Sequence, residues 1–133
     1  MRVPACADYI SSIPASVTHL TFGNNFNQML RPGDIPRSVT HLIFGNAFNQ
    51  ELVAGAIPDS VTHLSFGIWF RKPLFVDSIP DSVQYLQFGE LFNQPLPADV
   101  LPSSLKRLTF AYQQNPPINV DHVTADVAYL TNY

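Results

Sequence analysis

The sequence has one cysteine, Cys6, in 133 residues. A single thiol excludes an internal disulfide framework, supplies no thiol pair for zinc, and fits a reducing compartment. Charge is scarce as well: Asp, Glu, Lys and Arg together make up 13% of the chain, about half the usual share. The net charge is -3, and the basic residues cluster only as Arg71-Lys72 and Lys106-Arg107. That is far from the basic stripe that phosphate neutralisation needs, so nucleic acid is not an expected partner. No apolar run approaches the roughly 20 residues that span a bilayer, and Met1 to Ser12 lacks the basic start and long apolar stretch of a signal peptide. No membrane is expected, and the expected location is cytoplasmic. A Gly-rich phosphate loop is missing too. The carboxylates Glu51, Asp59, Asp81 and Glu90 are scattered, with no pair built for acid and base roles. The expectation is therefore no catalytic residue, no metal and no cofactor.

What the chain does have is a repeat. Ile-Pro stands at Ile13-Pro14, Ile35-Pro36, Ile57-Pro58 and Ile79-Pro80 and returns as Leu101-Pro102, always 22 residues apart. A period in the low twenties marks a solenoid, in which each unit makes one coil and only the stacking of neighbours encloses a core. The units are 13–34, 35–56, 57–78, 79–100 and 101–111 onward, preceded by residues 1–12 as a segment or partial cap.

Within a unit, Leu20 and Phe22 are two apart, as on one face of a short strand, so His19 and Thr21 point outward. The inward set recurs as Val39-Leu42-Phe44, Val61-Leu64-Phe66, Val83-Leu86-Phe88 and Leu105-Leu108-Phe110. Gly23, Gly45, Gly67 and Gly89 end each strand, and the expectation is that glycine's access to positive φ turns the corner there. Ala111 breaks that column. Phe26, Phe48, Phe70 and Phe92 fill the middle of the coil, and Leu30, Leu52, Leu74 and Leu96 line the return side. The Ile-Pro pair rules out a helix there and predicts an irregular or 3₁₀ return. The fold expected is a β-rich, leucine-rich-repeat-like, right-handed stack of five coils with a parallel sheet on one face. Residues 112–133 read as a degenerate last repeat and cap, with Ile118, Val123, Val127 and Leu130 keeping the 22-residue register.

The units resemble the FNIP repeat, a leucine-rich-like repeat of social amoebae and giant viruses, in Phe26-Asn27 to Ile35-Pro36, Phe48-Asn49 to Ile57-Pro58 and Phe92-Asn93 to Leu101-Pro102. The third unit departs from the pattern at Phe70-Arg71. The resemblance implies a recognition module for proteins, in a host cytoplasm if the source is viral. Because members often carry an F-box before the repeats, it also implies substrate recognition for a ubiquitin ligase, although residues 1–12 are too few to hold an F-box.

Two groups of residues stand out as candidate sites. His19, His41 and His63, continued by Tyr85, Arg107 and Tyr129, form an outward column along the sheet. Three histidines in a straight line cannot converge on a tetrahedral ion, so the column reads as an exposed sheet-face ladder. The second group is the third unit's departure: Ile68, Trp69, Arg71, Lys72 and Phe75. Trp beside Arg is the composition of a binding anchor, and the competing reading packs Trp69 into a local gap. The functional expectation is a non-catalytic protein-interaction module, with a structural spacer or a solenoid element that self-associates end to end as the alternative.

Overall fold

The computed structural model describes residues 1–3, 13–111 and 118–130. Seven short strands form one parallel sheet in sequence order: β1 (Arg2–Val3), β2 (His19–Phe22), β3 (His41–Ile43), β4 (His63–Ser65), β5 (Tyr85–Phe88), β6 (Arg107–Phe110) and β7 (Asp126–Tyr129). From β2 to β6 each residue pairs with its counterpart 22 positions on, as in His19 with His41, His63 with Tyr85 and Tyr85 with Arg107. The coil and the sequence repeat are thus the same unit.

Each coil is a strand followed by turns. The chain leaves the strand through a corner where Phe26 N donates to Gly23 O at 3.1 Å. It runs past the inward Phe26 and Leu30 to a second turn, closed by Asp34 N to Arg31 O at 3.0 Å, and then to a third after Ile-Pro, closed by Val39 N to Pro36 O at 3.1 Å. The return side is irregular, and no described residue is helical. Proline explains this: it donates no hydrogen bond and fixes φ, so it suits a turn and stops a helix.

The core is the set of columns the period implies. Leu20, Phe22, Phe26, Leu30, Ile35 and Val39 are buried, as are their counterparts through the middle coils. Rings pack both along the stack and within each coil. Phe44 lies 5.2 Å from Phe22, 5.3 Å from Phe66 and 4.1 Å from Phe48. A buried aliphatic or Phe side chain contributes roughly 1.5–3 kcal/mol, and continuity between coils lets five small cores act as one.

Two expectations are corrected. The corner glycines do not use positive φ; that conformation belongs to Gly33, Gly55 and Asp77, at the second turn of the first three coils. The corner needs glycine for another reason: a methyl group on Gly45 or Gly67 would sit 2.7 Å from the carbonyl carbon of the corner glycine one coil back. Backbone stacks on backbone there, and a side chain has no room.

The second correction concerns the last strand. Arg107 pairs with Asp126, a spacing of 19 residues (126 − 107), so Val127 and not Leu130 fills the Leu column opposite Leu108. Tyr129 therefore leaves the outward ladder: it pairs with Phe110 and stacks on it at 5.6 Å. The spacing shortens after Ala111, and residues 112–117, part of the segment read as a degenerate last repeat, lie outside the described residues. At the other end of the stack, the N-terminal segment contributes strand β1. Arg2 and Val3 pair with Thr21 and Phe22, and Thr21 N donates to Met1 O at 2.7 Å.

Candidate functional site

On the sheet face, the outward column is a stack of rings. His19 and His41 lie 4.1 Å apart at 11°, His41 and His63 4.0 Å at 13°, and His63 and Tyr85 4.5 Å at 24°. Arg107 follows Tyr85 in register, and Asp126 follows Arg107. A spacing near the roughly 4.8 Å separation of hydrogen-bonded strands is what makes flat side chains stack here.

Each imidazole is held by the threonine before it. Nδ1 lies 3.0 Å from Thr18 Oγ1 in His19, 2.9 Å from Thr40 Oγ1 in His41 and 2.8 Å from Thr62 Oγ1 in His63. The Thr40 hydroxyl also donates to Thr18 O at 3.2 Å, and the Thr62 hydroxyl to Thr40 O at 3.3 Å. A hydroxyl has one proton. With that proton spent on the carbonyl, His41 and His63 must donate from Nδ1, which leaves each Nε2 as a bare acceptor. This tautomer follows from counting donors and acceptors, not from observed hydrogens. Partial burial, followed by the neighbouring imidazoles of His63 and His19, holds the pKa of His41 below its ordinary value.

Beside the ring column runs a groove of about 370 Å³. One wall is His41, His63, Tyr85 and Arg107; the other is Ile43, Ser65, Gln87 and Thr109. The second wall carries no titratable group. Sequence periodicity finds both walls, but the ring spacing and the tautomers come only from the geometry.

The second candidate is the third coil's corner. Trp69 is 49% exposed, and the Arg71 guanidinium carbon lies 5.5 Å from its ring centroid, within cation–π range. Trp69 N donates to Asn46 O at 3.0 Å, as Ala47 N does to Asn24 O at 2.9 Å and Leu91 N to Ile68 O at 3.1 Å, so the corner's backbone pairing does not depend on the indole. Ile68 and Lys72 are half-buried beside it. Phe75 lies beyond the inward Leu74 in the second turn, where its amide donates to Ser78 Oγ at 2.9 Å. It shares that edge with Val76 and with Val53 of the preceding coil, which sequence reading passed over; all three are exposed. Comparing the second-turn residues coil by coil would have found them.

The polar columns on the return side hold the coils together. Asn27 Oδ1 accepts from Asn49 N at 2.9 Å, and Asn49 Oδ1 accepts from Arg71 N at 3.1 Å. The repeating Phe-Asn is thus a core residue followed by a clamp on the next coil's backbone. Its recurrence with Ile-Pro agrees with the FNIP repeat model, which matches residues 10–47, 26–68, 48–91, 70–113 and 92–121. The chain belongs to the FNIP repeat family. Among solved structures, these FNIP coils are similar to CroV588, described as a novel circular LRR protein, with 37% identity and a TM-score of 0.77. The likeness covers 88% of this chain and 18% of that one, so the present coils correspond to a small arc of a much longer protein. No curated protein matches the sequence. Among the described residues no helix is long and apolar enough to cross a membrane, and no three His, Cys, Asp or Glu are grouped so as to hold a metal ion.

Proposed function

We propose that this FNIP solenoid is a non-catalytic protein-interaction module whose partner docks at the third-coil corner, on Ile68, Trp69, Arg71 and Lys72, with Phe75 at its margin. The observation that supports this is the half-open indole of Trp69 under the Arg71 guanidinium, at a position where the other coils carry Asn25, Ala47 and Leu91. Interface hot spots are enriched in Trp and Arg, Trp for its large rigid surface and Arg for its planar donors and its stacking on aromatic faces. By analogy with family members that follow an F-box, the partner would be a substrate presented to a ubiquitin ligase. Trp69→Ala should weaken capture of a cytosolic partner by at least about 2 kcal/mol while leaving the urea melt nearly unchanged. Affinity capture with the wild type and with the Trp69→Ala, Arg71→Ala variant, identified by mass spectrometry, makes the test. A melt shifted by about 3 kcal/mol with capture intact would assign Trp69 to packing and sink the proposal.

A further inference from the structure

The sheet-face groove carries chemistry that the corner does not use. Its ring wall presents two bare acceptors, His41 Nε2 and His63 Nε2, on rings stacked 4.0 Å apart. Arg107 closes the wall, and among the described residues its guanidinium forms no ion pair. The charged and titratable groups around the imidazoles are His19 on β2, Tyr85 on β5, Lys106 and Arg107 at β6, and Asp126 on β7 beside Arg107. No carboxylate lines the groove.

We propose that this groove is an acid-gated docking site for an extended acidic peptide segment: nearly neutral at neutral pH, and strongly cationic once His41 and His63 take up protons. The gate follows from the Thr–His bonds. Because Nδ1 already donates to threonine, an incoming proton must land on the outward Nε2, turning each acceptor into a charged donor aimed at solvent. In the free protein burial, and after it the repulsion from the neighbouring imidazoles of His63 and His19, opposes protonation of His41. Carboxylates laid along the groove would relieve that repulsion, so binding and proton uptake reinforce each other. Length and charge favour a peptide over a nucleic acid. The groove crosses four strands, or roughly 15–20 Å at about 4.8 Å per strand, which five or six extended residues match. At neutral pH it offers one fixed cation, too few for a phosphate backbone.

The test uses the whole chain and a fluorescent hexapeptide of alternating Glu and Val, read by anisotropy at about pH 8 and about pH 6, where glutamate is ionised throughout. Affinity should rise at least about tenfold at the lower pH, the worth of one pKa unit of coupling. The His41→Gln, His63→Gln variant should lose that gain. Arg107→Gln should weaken binding at both. If the double variant folds poorly, NMR titration of the wild-type imidazoles decides instead: saturating peptide should raise the pKa of His41 and His63. Absence of binding, pH-independent binding, unmoved imidazole pKa values, or equal binding of a Gln-Val hexapeptide would each overturn the proposal. A single-stranded oligonucleotide of matched charge that binds as well would overturn the peptide assignment. The Trp69 reading stands or falls separately, since neither variant touches the corner.

Discussion

The middle coils and the last one are built from the same phrase, yet they solve the corner differently. From β2 to β5 the strands end in glycine, the backbones stack in contact, and every column continues at 22 residues. After β6 the corner is Ala111, the spacing falls to 19, and Tyr129 takes the phenylalanine column at the stack's end. In the middle coils each corner glycine leaves the preceding coil its space. Burial follows the same divide. Phe66 and Phe70 are enclosed between neighbours on both sides, whereas Tyr129 stacks, among the described residues, on Phe110 alone and is 41% exposed.

The sharpest way to break this contrast is to truncate a ring in each region. Phe66→Ala should destabilise by about 3–5 kcal/mol, the range for a buried aromatic, and Tyr129→Ala by a third of that or less. Urea melts compare them, and equal losses would mean that the middle coils gain nothing from two-sided stacking. Next comes the corner itself. Gly67→Ala should cost about 2–3 kcal/mol, as overpacking against an unyielding neighbour does, while Ala111→Gly should cost less than about 1 kcal/mol, the ordinary propensity difference. Thermal melts that showed both changes harmless would remove the steric account of the glycine column.

A smaller contrast lies in the serines after Ile-Pro. Ser60 Oγ donates to Val39 O at 2.6 Å and Ser82 Oγ to Val61 O at 2.7 Å, but the Ser38 hydroxyl is buried with no partner. Ser60→Ala should lose about 1 kcal/mol, and Ser38→Ala should be neutral or slightly stabilising. Calorimetry of the two variants would settle the order. The smallest expected effect is on acidification. The folded pKa of His41 is depressed, first by burial and then by its imidazole neighbours, so near the ordinary imidazole value of about 6.5 the unfolded chain binds more protons than the folded one. Stability is then complete above that range and falls as pH drops through it. Melts of the wild type and His41→Gln should diverge there, and parallel curves would show that the ring stack carries no electrostatic penalty.

Period made most of the core legible in the sequence. Leu20, Phe22, Phe26 and Leu30 recur with such regularity that their inward direction needs no coordinates, and the outward direction of His19, His41 and His63 follows. Other features depend on distances between coils, which a one-dimensional pattern does not contain. Gly45 reads as a φ residue because that is glycine's commonest use, and only the stacked geometry shows it to be a clearance residue. Tyr129 reads as a ladder member because the 22-residue step had held four times; the shortening occurs past Ala111, where the template letters stop. Strand β1 has two residues, too few to show any period. The competition for the Thr40 hydroxyl proton, on which the His41 tautomer rests, requires a carbonyl from another coil.

The glycine column also bears on how such a chain could lengthen. Copying an internal unit such as 35–56 inserts Gly45 along with its strand, and the new coil brings its own clearance, so in-frame duplication would add a layer without repair elsewhere. Copying the unit that carries Ala111 would not extend the glycine column: at Ala111 the chain is still in register with the coil before it, Phe88 opposite Phe110, and the 22-residue spacing is lost at the strand after it. Lengthening by duplication is therefore simplest for the units that carry their own glycine corner, since each copy brings the clearance its contact with the preceding coil requires.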